Sequence, residues 1–330
     1  MSEKNEQETV PLTAVLFTYN QEAVVEAAID SIFRQTLAPA EIILSDDGSR
    51  DETYAVLERM AAGYSGLSRI VLRRCKSNAG WFAHVNRCMA AASHDHVIVF
   101  AGDDISKPQR IESFWRKIQA EPGAKLIWSA MERMHPDGSL SGQVMGINHY
   151  GLKRLRGVGA SQSWHRDLFR YFGDLPQVEA AEDIVLPFRA YLLDGLHHIP
   201  EALVNWRDRD FREMNRAQLE HYYSLRASDF RKNAAAVMLA DLETHERKTG
   251  SDAPRIRQLR KQLVRLERSA LAEYRLIREE NLFKRVGLFC GLAPALGWKA
   301  GRRIFHNQIL GLPSFLESAY PRPLVKALPP

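Results

Sequence analysis

The sequence predicts an α/β protein built on a doubly wound, mostly parallel sheet, with a helical extension at its carboxyl end. Three observations predict it. Continuous apolar runs at Leu12 to Phe17, Ile42 to Leu44 and His96 to Phe100 read as short strands buried on both faces. Helical patterns separate these runs at regular intervals, the signature of parallel strands joined by crossovers. Beyond about Phe211 the chain turns to long, charged helical pattern. With 330 residues, 45% of them hydrophobic, it can bury one good core and carry a smaller second module.

The elements follow in order. MSEKNEQETV is a polar, acidic leader (1–10) without the features of a signal peptide. After the first strand, Val25, Ile29, Ile32 and Phe33 share one helical face. The stretch EIILSDDGSRDET, Glu41 to Thr53, then gives a strand, an acid pair, a glycine turn and a helix start. Ser49 and Glu52 have the spacing of a capping box for that helix. Arg69 to Leu72 is a third strand candidate. A loop with Asn78 and Gly80 runs into a helix, and the His96 strand ends on Gly102-Asp103-Asp104, with Pro108 in the first turn of the helix that follows.

Regularity fades from Leu126. LIWSA reads as a strand, His135 to Ser139 as a turn, and Gly142 to Gly159 as a long basic loop with Lys153, Arg154 and Arg156. Helical pattern resumes over Trp164 to Phe172. A third acid pair, Glu182-Asp183, directly precedes an apolar helix, and HHIPEALVNWRDRD closes the domain as a strand. The divisions expected are an α/β domain over 11–211, a helical hairpin over 212–282 and a basic, apolar tail over 283–330. In the hairpin, Ile256, Leu259, Leu263, Leu266 and Ala270 form an a/d seam.

Composition narrows the function. The net charge of +5 is a small excess with no recognition motif beside it, which argues against nucleic acid. Cys75, Cys88 and Cys290 are odd in number and lack C-x-x-C spacing, so reduced thiols in the cytoplasm are expected rather than a disulfide framework or zinc site. No apolar run approaches the roughly 18 residues of a spanning helix. His84, His94, His96, His197 and His198 have no metal-ligand spacing. Carboxylates at strand ends have two uses: holding a hard cation through oxygen, or accepting hydrogen bonds from a polar ligand.

The motifs FTYNQE (Phe17 to Glu22), QTLAPAEIILSDDGSRDET (Gln35 to Thr53), SNAG with Asn86, AGDDISKP (Ala101 to Pro108) and EDIVLPFRA (Glu182 to Ala190) together resemble the family 2 glycosyltransferases, over roughly residues 11 to 210. The resemblance implies the GT-A fold and an inverting transfer of a sugar from a nucleotide-sugar donor, a UDP-sugar first among them, to a hydroxyl acceptor. It implies donor contacts from Phe17, Tyr19, Asn20, Asp46, Asp47 and Asp103, a Mg2+ or Mn2+ ion at Asp104, and Asp183 as the general base. Arg207 and Arg209 are candidates for stabilising the diphosphate; the chain reads Trp206-Arg207-Asp208-Arg209 where many members have Tyr-Arg-x-His.

The setting implied is surface polysaccharide, lipopolysaccharide or glycoprotein assembly, with a glycan, lipid-linked or protein acceptor. Peripheral contact with the inner face of a membrane through 283–330 and a homodimer through 255–280 are further expectations. Two rivals stand beside this reading. A nucleotidyltransferase would carry a glycine-rich, basic loop after the first strand, and Phe17 to Gln21 has neither glycine nor a basic residue. A catalytically silent scaffold would keep the fold and work through its hairpin. Taken singly, each acid pair also fits a solvated turn or a helix N-terminus, and Asn78, Asn86 and Trp81 fit turn, cap and core positions.

Overall fold

The computed structural model describes residues 9–146, 159–178, 180–208, 216–278 and Cys290. The chain divides into two compact units, one of residues 1–177 and 182–209, the other of 178–181 and 210–330.

The first unit is a nine-stranded sheet with helices. Its leading half comprises β1 (Val10–Thr18), α1 (Val25–Phe33), β2 (Pro39–Asp46), α2 (Thr53–Ala62), β3 (Arg69–Arg74), α3 (Trp81–Ala91) and β4 (His96–Ala101). These four strands run parallel in the order β3-β2-β1-β4. Both faces are covered, hence the unbroken apolar runs. Leu12, Ala14 and Leu16 of β1 join Ile42, Leu44, Ile98 and Phe100 in a core with Val25, Ile29 and Ile32 of α1 and Leu57 of α2. On the opposite face Phe17 and Ser45 meet His84 of α3.

The second half is β5 (Ile105–Ser106), α4 (Arg110–Ala120), β6 (Leu126–Met134), β7 (Leu140–Met145), a 3-10 turn (Gly159–Ser161), β8 (Gln162–His165), α5 (Asp167–Phe172), α6 (Glu182–Leu192) and β9 (Leu196–Arg207). Here antiparallel pairings mix in: β8 inserts between β4 and β6, and β5 pairs with β9.

Three expectations change. The helical pattern at Trp164 to Phe172 splits into β8 and a short α5, because Trp164 is needed as an inward strand residue paired with Val97 and Leu126. The basic loop from Gly142 is strand as far as Met145, hairpinned onto β6 through the His135–Ser139 turn; residues 147–158, with Lys153, Arg154 and Arg156, lie outside the described residues. Ser49 and Glu52 form no capping box: Glu52 is the N-cap residue without a side-chain cap bond, and Asp51 instead accepts the Thr53 amide at 3.1 Å.

The described part of the second unit is a two-helix hairpin, α7 (Arg216–Thr249) and α8 (Pro254–Arg278). Ile256, Leu259, Leu263 and Ala270 are buried, with Ala234, Ala235, Val237, Met238 and Leu242 of α7. Leu266 departs from the seam and is exposed, and Ala272 is buried a turn and a half further on. Among the described residues no helix is long and apolar enough to cross a membrane.

Candidate active site

Register sets the site. Thr18 pairs with Asp46, and Phe17 with Ala101, so the acid stations of β2 and β4 leave the sheet on either side of β1. Each is tied to the same strand end: the Asp47 amide donates to the Thr18 carbonyl and the Gly102 amide to the Phe17 carbonyl, both at 3.0 Å. Carboxyl ends of parallel strands are where open α/β sheets gather ligand-binding groups.

The β2 station is a braced turn. Asp46 is 0% exposed. Its carboxylate accepts the Ser49 amide at 2.9 Å and the Ser49 hydroxyl, and Arg74 lies 3.9 Å away. Asp46 therefore shapes the turn from within. Gly48 turns the chain at φ +75, and a Cβ there would come within 2.6 to 2.8 Å of the Ser77 and Asn78 backbone, so only glycine fits without displacement.

Asp47, 4% exposed, accepts the Ala79 amide at 3.1 Å and thereby fixes the loop entering α3. The nearby Cys75 thiol is pushed up chiefly by its own burial. A carboxylate offers about four acceptor positions, so the Ala79 bond leaves capacity for a ligand donor.

The loop after β1 is laced to the helix start after β2. The Asn20 amide donates to Ser49 Oγ at 2.8 Å, and Asn20 Oδ1 accepts the Arg50 amide at 3.0 Å. The Gln21 amide donates to Thr53 Oγ1 at 2.7 Å, and Glu22 exchanges bonds with Asp51 and the Glu52 amide. Asn20 sits at φ 51, a left-handed position that asparagine tolerates. Its side chain holds two loops together. Tyr19, 39% exposed, points outward from this loop, where Asn20, Glu22 and Ala23 are exposed as well. Phe17 is buried and packs edge-on against Trp81 and His84, with ring centroids 5.0 and 5.1 Å apart.

At the β4 station Asp103 is half-buried and Asp104 is 6% exposed. Burial first, then the charge of Asp103, pushes the Asp104 carboxyl well above the usual range. Three groups oppose that. The Arg207 amide donates to Asp104 Oδ1 at 2.9 Å, and the Arg110 and Arg207 guanidinium charges are nearby. Arg207 also donates from Nε to the Asp103 carbonyl at 3.0 Å and from Nη1 to the Pro136 carbonyl at 2.8 Å. Arg207 thus clamps the acid loop onto the end of β9. Arg209 lies outside the described residues.

The acid pair fits a divalent cation sparingly. Two like carboxylates in low dielectric are the arrangement that a cation relieves. Among the described residues no group of three His, Cys, Asp or Glu side chains gathers to hold a metal. An ion here would take one or two carboxylates and complete its shell with water and phosphate oxygens, as magnesium commonly does.

Asp183 lies in the first turn of α6, half-buried. Burial raises the carboxyl of its neighbour Glu182 above the usual range. Sequence reading missed several supports. Arg110 is a fully buried cation pushed down to about 9 by burial, and its Nη2 donates to the carbonyls of Val99 and Ala160, both at 2.7 Å. Asn86 clasps the loop before α6, donating to the Leu175 carbonyl at 2.8 Å and accepting the Leu175 amide at 2.9 Å. An asparagine on an apolar helix face was the only signal for that clasp.

This sheet with its two strand-end acid stations is the frame of a GT-A domain. Residues 13–134 match the model of glycosyl transferase family 2. The protein named "Putative glycosyltransferase EpsE" of Bacillus subtilis is 36% identical over 101 residues, 31% of this chain and 36% of EpsE. The chain therefore spans about a third of the length of that relative. Among solved structures, S. aureus TarS 1-349 in complex with UDP-GlcNAc is similar with TM-score 0.56 at 14% identity, covering 92% of this chain and 93% of TarS. A mannosyltransferase of Pyrobaculum calidifontis in complex with GDP-Man and Mn2+ is similar with TM-score 0.54 at 15% identity, covering 96% and 86%.

Proposed function

We propose that the protein is an inverting glycosyltransferase that moves one sugar from a nucleotide-sugar donor, a UDP-sugar first among candidates, to a hydroxyl acceptor. The observation that carries this is the pair of acid stations bonded to the last two carbonyls of β1. Asp47 and Tyr19 flank the nucleoside. Asp103 and Asp104 face the diphosphate, and a Mg2+ or Mn2+ ion held there supplies charge neutralisation for the leaving group. Arg207 holds the acid loop in place, and Arg209 belongs to the same proposal as a diphosphate partner.

Asp183 takes the proton of the acceptor hydroxyl as that oxygen attacks the anomeric carbon from the side opposite the nucleotide. The carbon–oxygen bond to the diphosphate breaks in the same displacement, and configuration inverts, by the geometry that serves an inverting hydrolase. A diphosphate leaves as an anion, so no protonating acid is needed.

A role in surface polysaccharide, lipopolysaccharide or glycoprotein assembly is part of the proposal, as are membrane contact through 283–330 and dimerisation through 255–280. The free Cys75, Cys88 and Cys290 suit a cytosolic setting. The test is calorimetry with UDP-, GDP-, dTDP- and CMP-sugars, with and without Mn2+. Metal-dependent binding of one class is expected; no binding of any would favour a scaffold acting through its hairpin.

A further inference from the structure

Beside the acid loop, the end of β9 is held by an ion pair that the reaction as described does not use. Arg133 of β6 donates from Nε to Asp208 Oδ2 at 2.5 Å and from Nη1 to Gln143 Oε1 of β7 at 3.4 Å. Both charged side chains are nearly out of water, 8% exposed for Arg133 and 11% for Asp208, unlike the exposed surface pairs that solvent leaves weak. The main chain of Asp208 is tied as well, its amide donating to the Met134 carbonyl at 2.9 Å. Arg133 stands opposite Trp206 and Met134 opposite Arg207 in the register of β6 with β9, so Asp208 is the first residue past the ladder.

We propose that Asp208 is the positioning residue for the acid loop: with Arg133 it fixes the end of β9, and so aims Arg207 at Asp103 and Asp104. The proposal rests on the reading of that acid pair as the diphosphate and metal station. Arg207 is the last residue of β9, and a strand end frays unless the residue beyond it is tied down. Arg207 spends its amide on Asp104 Oδ1 at 2.9 Å and its Nε on the Asp103 carbonyl at 3.0 Å, so any shift of its backbone disturbs both contacts to the acid loop. Its Nη1 holds the Pro136 carbonyl at 2.8 Å, in the turn that joins β6 to β7. Arg207 and Asp208 thus grip one hairpin, at its turn and at its strand, and Arg207 reaches from that grip to the acids. A nearly buried ion pair stabilises little beyond an apolar pair of the same volume, so what it supplies here is a set geometry.

The experiment uses the full chain with Arg133→Met and Asp208→Leu combined, which removes both charges and leaves no buried one unpaired. Exchange of the Arg207 amide, followed by NMR, reports the bond to Asp104 directly. It should be slow in the wild type and at least about tenfold faster in the variant, with exchange across β1 to β3 unchanged. Calorimetry with UDP, GDP, dTDP and CMP in Mn2+ gives the second readout. For whichever binds, the variant's Kd should rise about tenfold, and adding Arg207→Ala should raise it by less than about twofold more, since residues acting through one contact do not add. Should the variant not fold, Asp208→Asn, which keeps an acceptor for Arg133 but loses the charge, is expected to move both readouts the same way by about threefold.

An Arg207 amide as protected in the variant as in the wild type would overturn the proposal, and so would an unchanged Kd. Losses that multiply when Arg207→Ala is added would make the two residues independent, and exchange that quickens across β1 to β3 would reduce the ion pair to a part of the fold; either result also overturns it. A wild type that binds none of the four nucleotides contradicts the glycosyltransferase reading instead, and exchange of the Arg207 amide then decides by itself whether Asp208 positions the acid loop.

Discussion

The main-chain amide of Arg207 donates to Asp104 Oδ1 at 2.9 Å, joining the last residue of β9 to the acid loop after β4 across 103 positions of sequence. A backbone donor survives side-chain replacement, so Arg207 gives the loop one tether that its mutation cannot remove and one, to the Asp103 carbonyl, that it can. Arg207→Ala deletes the bonds from the guanidinium to the Asp103 and Pro136 carbonyls. We predict a chain that still folds and binds nucleotide with Mn2+ about tenfold more weakly, since a charged hydrogen bond contributes roughly 1.5–3 kcal/mol. Equal affinity by calorimetry would assign Arg207 to the fold alone.

Gly48→Ala should destabilise the first unit more than any other single methyl added at this edge. The left-handed backbone costs a non-glycine residue about 1–2 kcal/mol, and the methyl also meets backbone atoms at 2.6 to 2.8 Å that have no flexible end to yield. Urea unfolding measures the loss; a change below about 0.5 kcal/mol contradicts it.

Asn86→Ala removes both partners of the Leu175 backbone, and Asn86→Asp removes only the donor to the Leu175 carbonyl. Stability should fall in that order, the alanine variant by about 1–3 kcal/mol for the unsatisfied groups it leaves. If the loop before α6 needs this clasp, hydrogen exchange at the Leu175 amide speeds up in the alanine variant and stays slow in the aspartate one.

Acid should weaken the fold through its buried histidines. His84 is pushed down to about 4 chiefly by burial, which outweighs the attraction of Asp47 and Asp46, while Arg87 and Arg73 add to the depression. His96 is also pushed down to about 4, by burial and by His165 and Lys125. Each folded value lies below the unfolded one near 6.5, so the unfolded chain binds more protons between them. The stability is present above about pH 6.5 and is lost as pH falls towards 4. Thermal melts from pH 7.5 to 4.5 should slope downward, and less steeply in His84→Gln; parallel curves would remove His84 from the account.

Much of this was legible before the structure. The strands Leu12 to Phe17 and His96 to Phe100 announce themselves because a parallel strand covered on both faces is apolar throughout. The acid pairs stand out because carboxylates so rarely end such runs. What failed did so for tertiary reasons. Trp164 carries a helical pattern locally but is claimed by β4 and β6 as a strand residue. Asp46 and Asp47 are chemically alike in sequence, and only the turn at Gly48 sends the first inward onto Ser49. The bonds of Arg110 to Val99 and Ala160 span 11 and 50 positions, beyond the reach of any local pattern.

The most direct test of the central claim pairs two measurements on Asp183→Asn: donor affinity by calorimetry with Mn2+, and transfer of sugar from the nucleotide that binds best. The account predicts affinity within about twofold of wild type and turnover reduced at least a hundredfold, the scale on which a positioned general base acts. Undiminished turnover in the Asp183→Asn enzyme would contradict it.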